Sequence, residues 1–411
     1  MRILIAAPYR SVVGGVERYL QAIIPGLAIR GHQLALIHED LFDGSAESID
    51  SSHCVMPAWS IAQAGAEVVL RRAADWKPDL VYSHGLQGIS LRNALLNAYP
   101  NVLYAHNYFG TCATGQKCHA APVPRPCSRQ FGLGCLLLHY PRRCGGLHPG
   151  TMWKMFQESA EMNRQLPRYD ALLVASEHMR REFQAHGVAS NKVHLVPLPN
   201  PDEGKSAFVR GPGAPSGRIL FIGRLTKLKG VGHLLPAISI AARQLGRPLS
   251  LTIAGDGPER AKLERLAEKL GVSANFVGWI DSRRKGALIE EMDLLAVPSL
   301  WPEPFGLVGI EAAVHGLPAV AYDVGGISDW LIPGETGELA PGDPPSAEGL
   351  ADAITRALSD PAHYSRLSQG AKLRARRFGL ESHLTSLENI FETVVNEASM
   401  SGSSVRHGIQ V

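Results

Sequence analysis

The chain has 411 residues, 45% of them hydrophobic, with 42 glycines and 28 prolines. That is chain enough for two domains, rich in turns but too apolar for disorder to be its main state. The net charge of +3 divides into +5 over residues 1–200 and −2 after them, too thin for the basic stripe of a nucleic-acid groove, so no nucleic-acid partner is expected.

The opening stretch, Met1 to Pro8, is too short for a signal-peptide core and reads as a buried first strand. No run of about 18 apolar residues follows, so no spanning helix is expected and the protein reads as cytoplasmic. Short apolar runs then alternate with helix-length segments. Ile3–Ala7, Leu34–His38, Leu80–Ser83, Val102–Ala105, Ala171–Ala175 and Val193–Pro197 suit buried parallel strands. Helical patterns such as Glu17–Arg30 and Ser176–His186 lie between them. The rhythm restarts with Ile219–Ile222, Ser250–Ala254, Asn275–Val277, Leu294–Val297 and Ala319–Tyr322. This is βαβ architecture twice over, an α/β fold.

The break falls in the Pro- and Gly-rich residues 197–217, a composition that suits a linker. The expected layout is a first domain over 1–198, a second over 204–375, a closing helical segment over 376–398 and a polar, disordered tail over 399–411. Leu384, Leu387, Ile390, Phe391 and Val394 fall on one helical face of that closing segment.

Gly14 and Gly15 follow the first strand at the mouth of a helix. There, backbone N–H groups can approach an anion, or the pair can simply make a turn. The spacing is not G-x-G-x-x-G, which disfavours a dehydrogenase. Next in the chain comes a segment, residues 110–150, that holds five of the six cysteines: Cys112, Cys118, Cys127, Cys135 and Cys144. Packed thiols, a metal or cluster site, and disulfides all remain open; no C-x-x-C pair supports zinc. Residues 101–150 also carry Lys117, Arg125, Arg129, Arg142 and Arg143 and no acid. That suits an anionic acceptor, a membrane surface or a solvated loop.

In the second half, the strand ending at Ile222 delivers Arg224, with Lys229 five residues on. Two cations at the carboxyl edge of a parallel sheet can clamp a diphosphate, or stand as surface charges. Gly255-Asp256-Gly257-Pro258 reads as a strand-to-helix turn. The stretch Pro302-Glu303-Pro304-Phe305-Gly306-Leu307-Val308 sets Glu303 in stiff backbone and starts a helix near Phe305–Leu307. Its amides at Phe305, Gly306, Leu307 and Val308 would face an anion or a sugar, and Glu311 lies inside the helix. Two carboxylates also fit a glycosidase; beside a diphosphate clamp, hydroxyl binding is the better reading. No Asp-x-Asp stands near the clamp, so neither metal nor cofactor is expected.

Gly14-Gly15-Val16-Glu17, Gly223-Arg224-Leu225 with Lys229-Gly230, Glu303 with Glu311, and the later Gly325-Gly326 occur in an order that resembles glycosyltransferase family 4. The resemblance spans residues 3–395. It implies a GT-B fold, two Rossmann-like doubly wound domains facing across a cleft. It implies a retaining transfer of a hexosyl unit from a nucleotide diphosphate sugar to an acceptor hydroxyl on a polysaccharide, lipid-linked glycan or small molecule. A nucleotide-sugar epimerase of the same fold and a non-catalytic nucleotide-sugar sensor are the alternatives.

By the same resemblance, Gly14 and Gly15 approach the donor diphosphate, which Arg224 and Lys229 grip. Glu303 takes donor-sugar hydroxyls, Glu311 the ribose, and the amides of residues 305–308 the sugar and phosphate. His106 stands near the reacting sugar; the family's usual Asp after it is Asn107 here. Catalytic roles fall to His106 and Glu303. The closing helix returns to the first domain, and residues 110–150, on the acceptor side, are expected to govern the acceptor, with peripheral membrane contact as a further possibility.

Overall fold

The computed structural model describes residues 1–42, 47–50, 55–200, 208 and 214–400. Most of the expected linker, residues 201–207 and 209–213, lies outside these, as do Cys54 and the expected tail from 401 onward. Ser399 and Met400, assigned to that tail from the sequence, instead end the last helix, Leu380–Met400.

In chain order the strands are β1 (Arg2–Ala7), β2 (Gln33–His38), β3 (Ala58–Ser60), β4 (Leu80–Ser83), β5 (Asn101–Ala105), β6 (Cys118–His119), β7 (Arg125–Pro126), β8 (Ala171–Val174) and β9 (Val193–Leu195). The second half adds β10 (Arg218–Ile222), β11 (Ser250–Ala254), β12 (Ser273–Gly278), β13 (Leu294–Val297), β14 (Ala319–Tyr322) and β15 (Gly337–Ala340). One sheet runs β3-β2-β1-β4-β5-β8-β9 and the other β12-β11-β10-β13-β14-β15. Every pairing within them is parallel. The central strands are buried along their length, as helices covering both faces require.

Three features escaped the sequence reading. β3 has only three residues, and β15 carries Glu338, whose charge masks the apolar run. That carboxylate is met by Arg356 at 3.0 Å and His363 at 2.9 Å. The antiparallel pair β6–β7 lies inside the cysteine segment.

The last helix packs on the first sheet. Leu384, Leu387, Phe391 and Val394 share a buried cluster with Tyr19, Leu20, Ile23 and Ile24 of the helix Gly15–Ile29. Arg30 bonds Glu381 at 2.6 Å and Glu388 at 2.5 Å, tying the same two helices at their edge. A second cluster runs from Leu103, Tyr108 and Phe183 of the first half into Phe221, Leu300 and Phe305 of the second, so the halves share apolar core. Polar contacts cross as well: the Glu177 N–H donates to Asp329 Oδ2 at 2.7 Å, and Arg125 lies 3.6 Å from Asp343.

Strand order reverses between β1 and β4 in the first sheet and between β10 and β13 in the second. In open α/β sheets the crevice outside the carboxyl ends at such a reversal receives ligands. The chemistry-bearing residues sit at these two points.

Candidate active site

At the second sheet's reversal, Lys229 ends a short turn, Lys227–Lys229, that follows β10. Gly230 comes next with φ +72, and a Cβ there would lie 1.7 Å from the Pro298 carbonyl oxygen. Only glycine lets the turn press against the loop after β13. That contact brings Lys229 Nζ to 2.6 Å from Glu303 Oε1. Ser299 Oγ at 2.5 Å and Trp301 Nε1 at 2.9 Å donate to the same oxygen. Lys229 also lies over the Trp301 ring, 5.5 Å from its centre. Glu303 is 5% exposed, and these three donors compensate the burial of its Oε1.

Glu303 is braced from behind. Gly325, at φ +62, would set a Cβ 2.3 Å from the Glu303 carbonyl oxygen, and the Gly326 N–H donates to that oxygen at 2.7 Å. The Gly325-Gly326 pair therefore supports the Glu303 backbone.

The helix after Glu303 runs Leu307–Val314 behind Gly306. Phe305 lies ahead of it with its side chain fully buried, and its carbonyl accepts from Trp330 Nε1 at 2.6 Å. By helix geometry the amides of Leu307 and Val308 lack partners within the helix. Glu311 sits inside the helix, half-buried, with Lys285 Nζ at 2.6 Å from Oε1. Arg224 is exposed at the end of β10.

At the first sheet's reversal lies a cavity of about 330 Å³, lined by residues that include Glu17, His84, His106, Asn107 and Glu158. His84 follows β4 and His106 follows β5, and His84 Nδ1 and His106 Nε2 lie 3.0 Å apart. His84 Nε2 is buried without a hydrogen-bond partner among the described residues. Burial, then the neighbouring His383, lowers the His106 pKa to about 3; burial lowers His383 to about 4. All three imidazoles, His84 included, are neutral at neutral pH. Tyr19 OH joins Tyr82 OH at 2.6 Å and His383 Nε2 at 2.9 Å, linking this cluster to the last helix.

Asn107 Oδ1 accepts the Phe109 N–H at 2.8 Å, so the residue that replaces the usual Asp shapes the turn after His106. Gly14 precedes the helix Gly15–Ile29, and no described atom lies within 4 Å of a Cβ placed on Gly15. Glu17, on that helix's first turn, is 3% exposed. Burial raises its pKa against the pull of backbone amides at Gly14, Val13 and its own position.

The cysteine segment is built on a buried lysine. Lys117, 2% exposed, bonds Glu182 of the helix Glu177–Ala185 and the carbonyls of Arg129 and Thr111. The acid-free basic stretch is thus not one free surface, because Lys117 is internally paired. The five described cysteines are free thiols. Among the described residues no group of three or more His, Cys, Asp or Glu is gathered to hold a metal ion. Burial, with a smaller push from nearby thiols, takes Cys118 up to about 12 and Cys144 up to about 11. Cys118 Sγ lies 3.5 Å from the carbonyl oxygen of Leu300, on the loop that carries Glu303. The segment therefore touches the second domain as well as the first.

The structure thus pairs Lys229 with Glu303 in one half and sets His106 and Glu17 on the wall of one cavity in the other. Glu311 is paired with Lys285. Sequence reasoning missed His84, Lys285 and Ser299. Only Ser299, four residues before Glu303, lay within a motif; the others reach the site from separate elements.

Two family models match the chain: glycosyltransferase family 4 over residues 13–199 and glycosyl transferases group 1 over residues 206–374. Glycogen synthase from Mycobacterium tuberculosis is 28% identical over 398 residues, covering 88% of this chain and 87% of the relative. Sucrose-phosphate synthase from Thermosynechococcus elongatus superposes with a TM-score of 0.73 at 21% identity, over 96% of this chain and 99% of that one. HepE from Anabaena in complex with UDP-glucose superposes with a TM-score of 0.66 at 17% identity, over 96% and 100%. With two doubly wound sheets of this order and both halves matched, the chain belongs to glycosyltransferase family 4 and has the GT-B fold.

Proposed function

We propose that the protein is a retaining, metal-independent hexosyltransferase that moves a sugar from a nucleotide diphosphate donor to an acceptor hydroxyl. The observation that carries this is the Lys229–Glu303 pair at the carboxyl edge of the second sheet. A diphosphate leaving group develops negative charge, and fixed cations at that point lower the barrier. Lys229 and the exposed Arg224 supply them. As the diphosphate engages Lys229, Glu303 is released to the donor-sugar hydroxyls. Gly15 leaves room for the diphosphate from the other half, Leu307 and Val308 offer amides, and Glu311, oriented by Lys285, takes the ribose.

Glu303 Oε1 already accepts three hydrogen bonds, which makes that oxygen a poor nucleophile. This favours same-face transfer, in which an oxygen of the leaving phosphate takes the acceptor proton as the new glycosidic bond forms. The neutral His106, on the wall of the 330 Å³ cavity, then meets the reacting sugar as a hydrogen-bonding group. Among the described residues the cavity lining includes Glu17 and Glu158 and no Lys or Arg, so it suits the hydroxyl-bearing end of an acceptor better than a phosphate. The UDP-glucose complex of HepE agrees with a donor of this class.

The test is a panel of nucleotide sugars incubated with neutral polyol and glycoside acceptors, with and without EDTA. Glycoside and nucleoside diphosphate should form together, insensitive to EDTA, with the donor's anomeric configuration kept by NMR. Donor turnover without glycoside would favour the epimerase reading, and an inverted product would overturn the retaining one.

A further inference from the structure

The described chain exposes a run of large apolar side chains that no fold requirement explains. Leu133 is 76% exposed, Leu137 80%, Leu147 70%, Trp153 50% and Tyr140 38%. Leu133, Leu137 and Tyr140 are spaced four and three apart along the helix Gly134–Arg142 and its N-cap, so they share one face. His139, off that face, is buried. The helix has therefore turned its apolar side outward.

The other members lie beside it. His139 Nε2 meets the Gly146 carbonyl at 2.9 Å, folding residues 143–148 back on the helix. Phe156 packs on Phe131 at 5.0 Å and on Trp153 at 6.2 Å, bringing the first turns of the helix Pro149–Gln165 to the same place. Single exposed leucines are ordinary; a contiguous group of this kind marks an interaction surface.

Its charge selects the partner. Arg129 and Arg143 are exposed, Arg142 is half-buried, and Lys154 stays 77% exposed although 3.8 Å from Glu158. No Asp or Glu occurs between Asp79 and Glu158. A second copy docking patch to patch would set these cations against each other, with no acid from the surrounding segment to pair them. An anionic surface that also accepts apolar side chains satisfies both properties at once.

We propose that Leu133, Leu137, Leu147 and Trp153, together with the exposed cations Arg129, Arg143 and Lys154, form a docking surface for an anionic lipid bilayer. The leucines and Trp153 enter the headgroup boundary while the arginines and lysine meet lipid phosphates. This rests on exposure and charge and stands apart from the reading of the enzyme's reaction. If that reading also holds, docking serves it: Trp153 and the cavity-lining Glu158 lie on one helix, roughly 8 Å apart along its axis at 1.5 Å per residue.

The experiment is flotation of the full chain with phosphatidylcholine vesicles, with and without phosphatidylglycerol, at low and high salt. The protein should float with anionic vesicles at low salt, stay behind with neutral ones, and be released by salt. Leu133→Ser with Leu137→Ser, and separately Arg129→Gln with Arg143→Gln, should each weaken anionic partition by about tenfold or more. Their circular dichroism should match the parent, because the leucines are exposed. No flotation of the parent, or equal flotation of parent and both double variants, would overturn the proposal. So would parent dimerisation, abolished by the leucine variant, without vesicle binding.

Discussion

The two sheet reversals hold sites built in opposite ways. In the second half, Ser299, Trp301, Glu303, Leu307, Val308 and Glu311 come from 13 consecutive residues, and Arg224, Lys229 and Lys285 arrive from other elements. In the first half, Glu17, His84, His106 and Glu158 come from four separate elements, and nothing in the chain sets them at a fixed spacing. A site carried on one loop and helix keeps its charges wherever the other domain stands. A site assembled from strand ends depends on the whole sheet and on the last helix, whose His383 is bonded to Tyr19.

The same contrast explains what could be read from the sequence. The alternating apolar runs showed both sheets, because strands buried on both faces leave a continuous apolar signal. Glu303 and Glu311 stood out because their neighbours are unusual: two prolines, then glycine at the helix mouth. His84 did not, since a histidine at a strand end has no distinctive neighbours. Lys285 did not, since a lysine on the helix Ser282–Glu291 looks like any surface charge until the fold sets it against Glu311. The cysteine segment misled in a different way. Its thiols drew attention, whereas its internal anchor is Lys117, whose pairing with Glu182 across some 65 residues of chain carries no local signature.

The largest effect should come from that anchor. Lys117→Met leaves the half-buried Glu182 carboxylate without its lysine, with His186 Nδ1 at 3.3 Å, and should cost about 3–5 kcal/mol in urea denaturation. An unchanged midpoint would mean the segment is held by its apolar contacts instead. Next, Lys229→Ala should fold normally yet lose about 3–4 kcal/mol of transition-state stabilisation in kcat/KM. A folded variant with parental kcat/KM would remove Lys229 from the clamp.

Glu311→Ala should weaken nucleoside diphosphate binding by about 2–3 kcal/mol. Lys285→Met should weaken it less, because the carboxylate remains and loses only its orientation. Equal affinities in all three proteins would return Glu311 to a structural role.

The smallest effect concerns pH and sharpens the account of the first-half site. His84, His106 and His383 have lowered pKa values, so they stay neutral in the folded chain while the unfolded chain takes up their protons near pH 6.5. Their contribution to stability is complete above that pH and is lost as pH falls toward about 4 and about 3, where His383 and His106 protonate in the folded state. The denaturation midpoint should decline across this window, and His383→Gln should make the decline shallower. An identical slope in the variant would mean that carboxylates alone set it.

The central claim, that the second half holds the donor while the first holds the acceptor, is tested most directly by calorimetric titration of UDP, ADP and GDP. The parent, Arg224→Ala with Lys229→Ala, and Glu17→Gln with His84→Gln would be compared. The account predicts that at least one diphosphate binds the parent, that the clamp variant loses about 3 kcal/mol or more of affinity, and that the cavity variant keeps it. Equal loss in the two variants, or loss confined to the cavity variant, would contradict it.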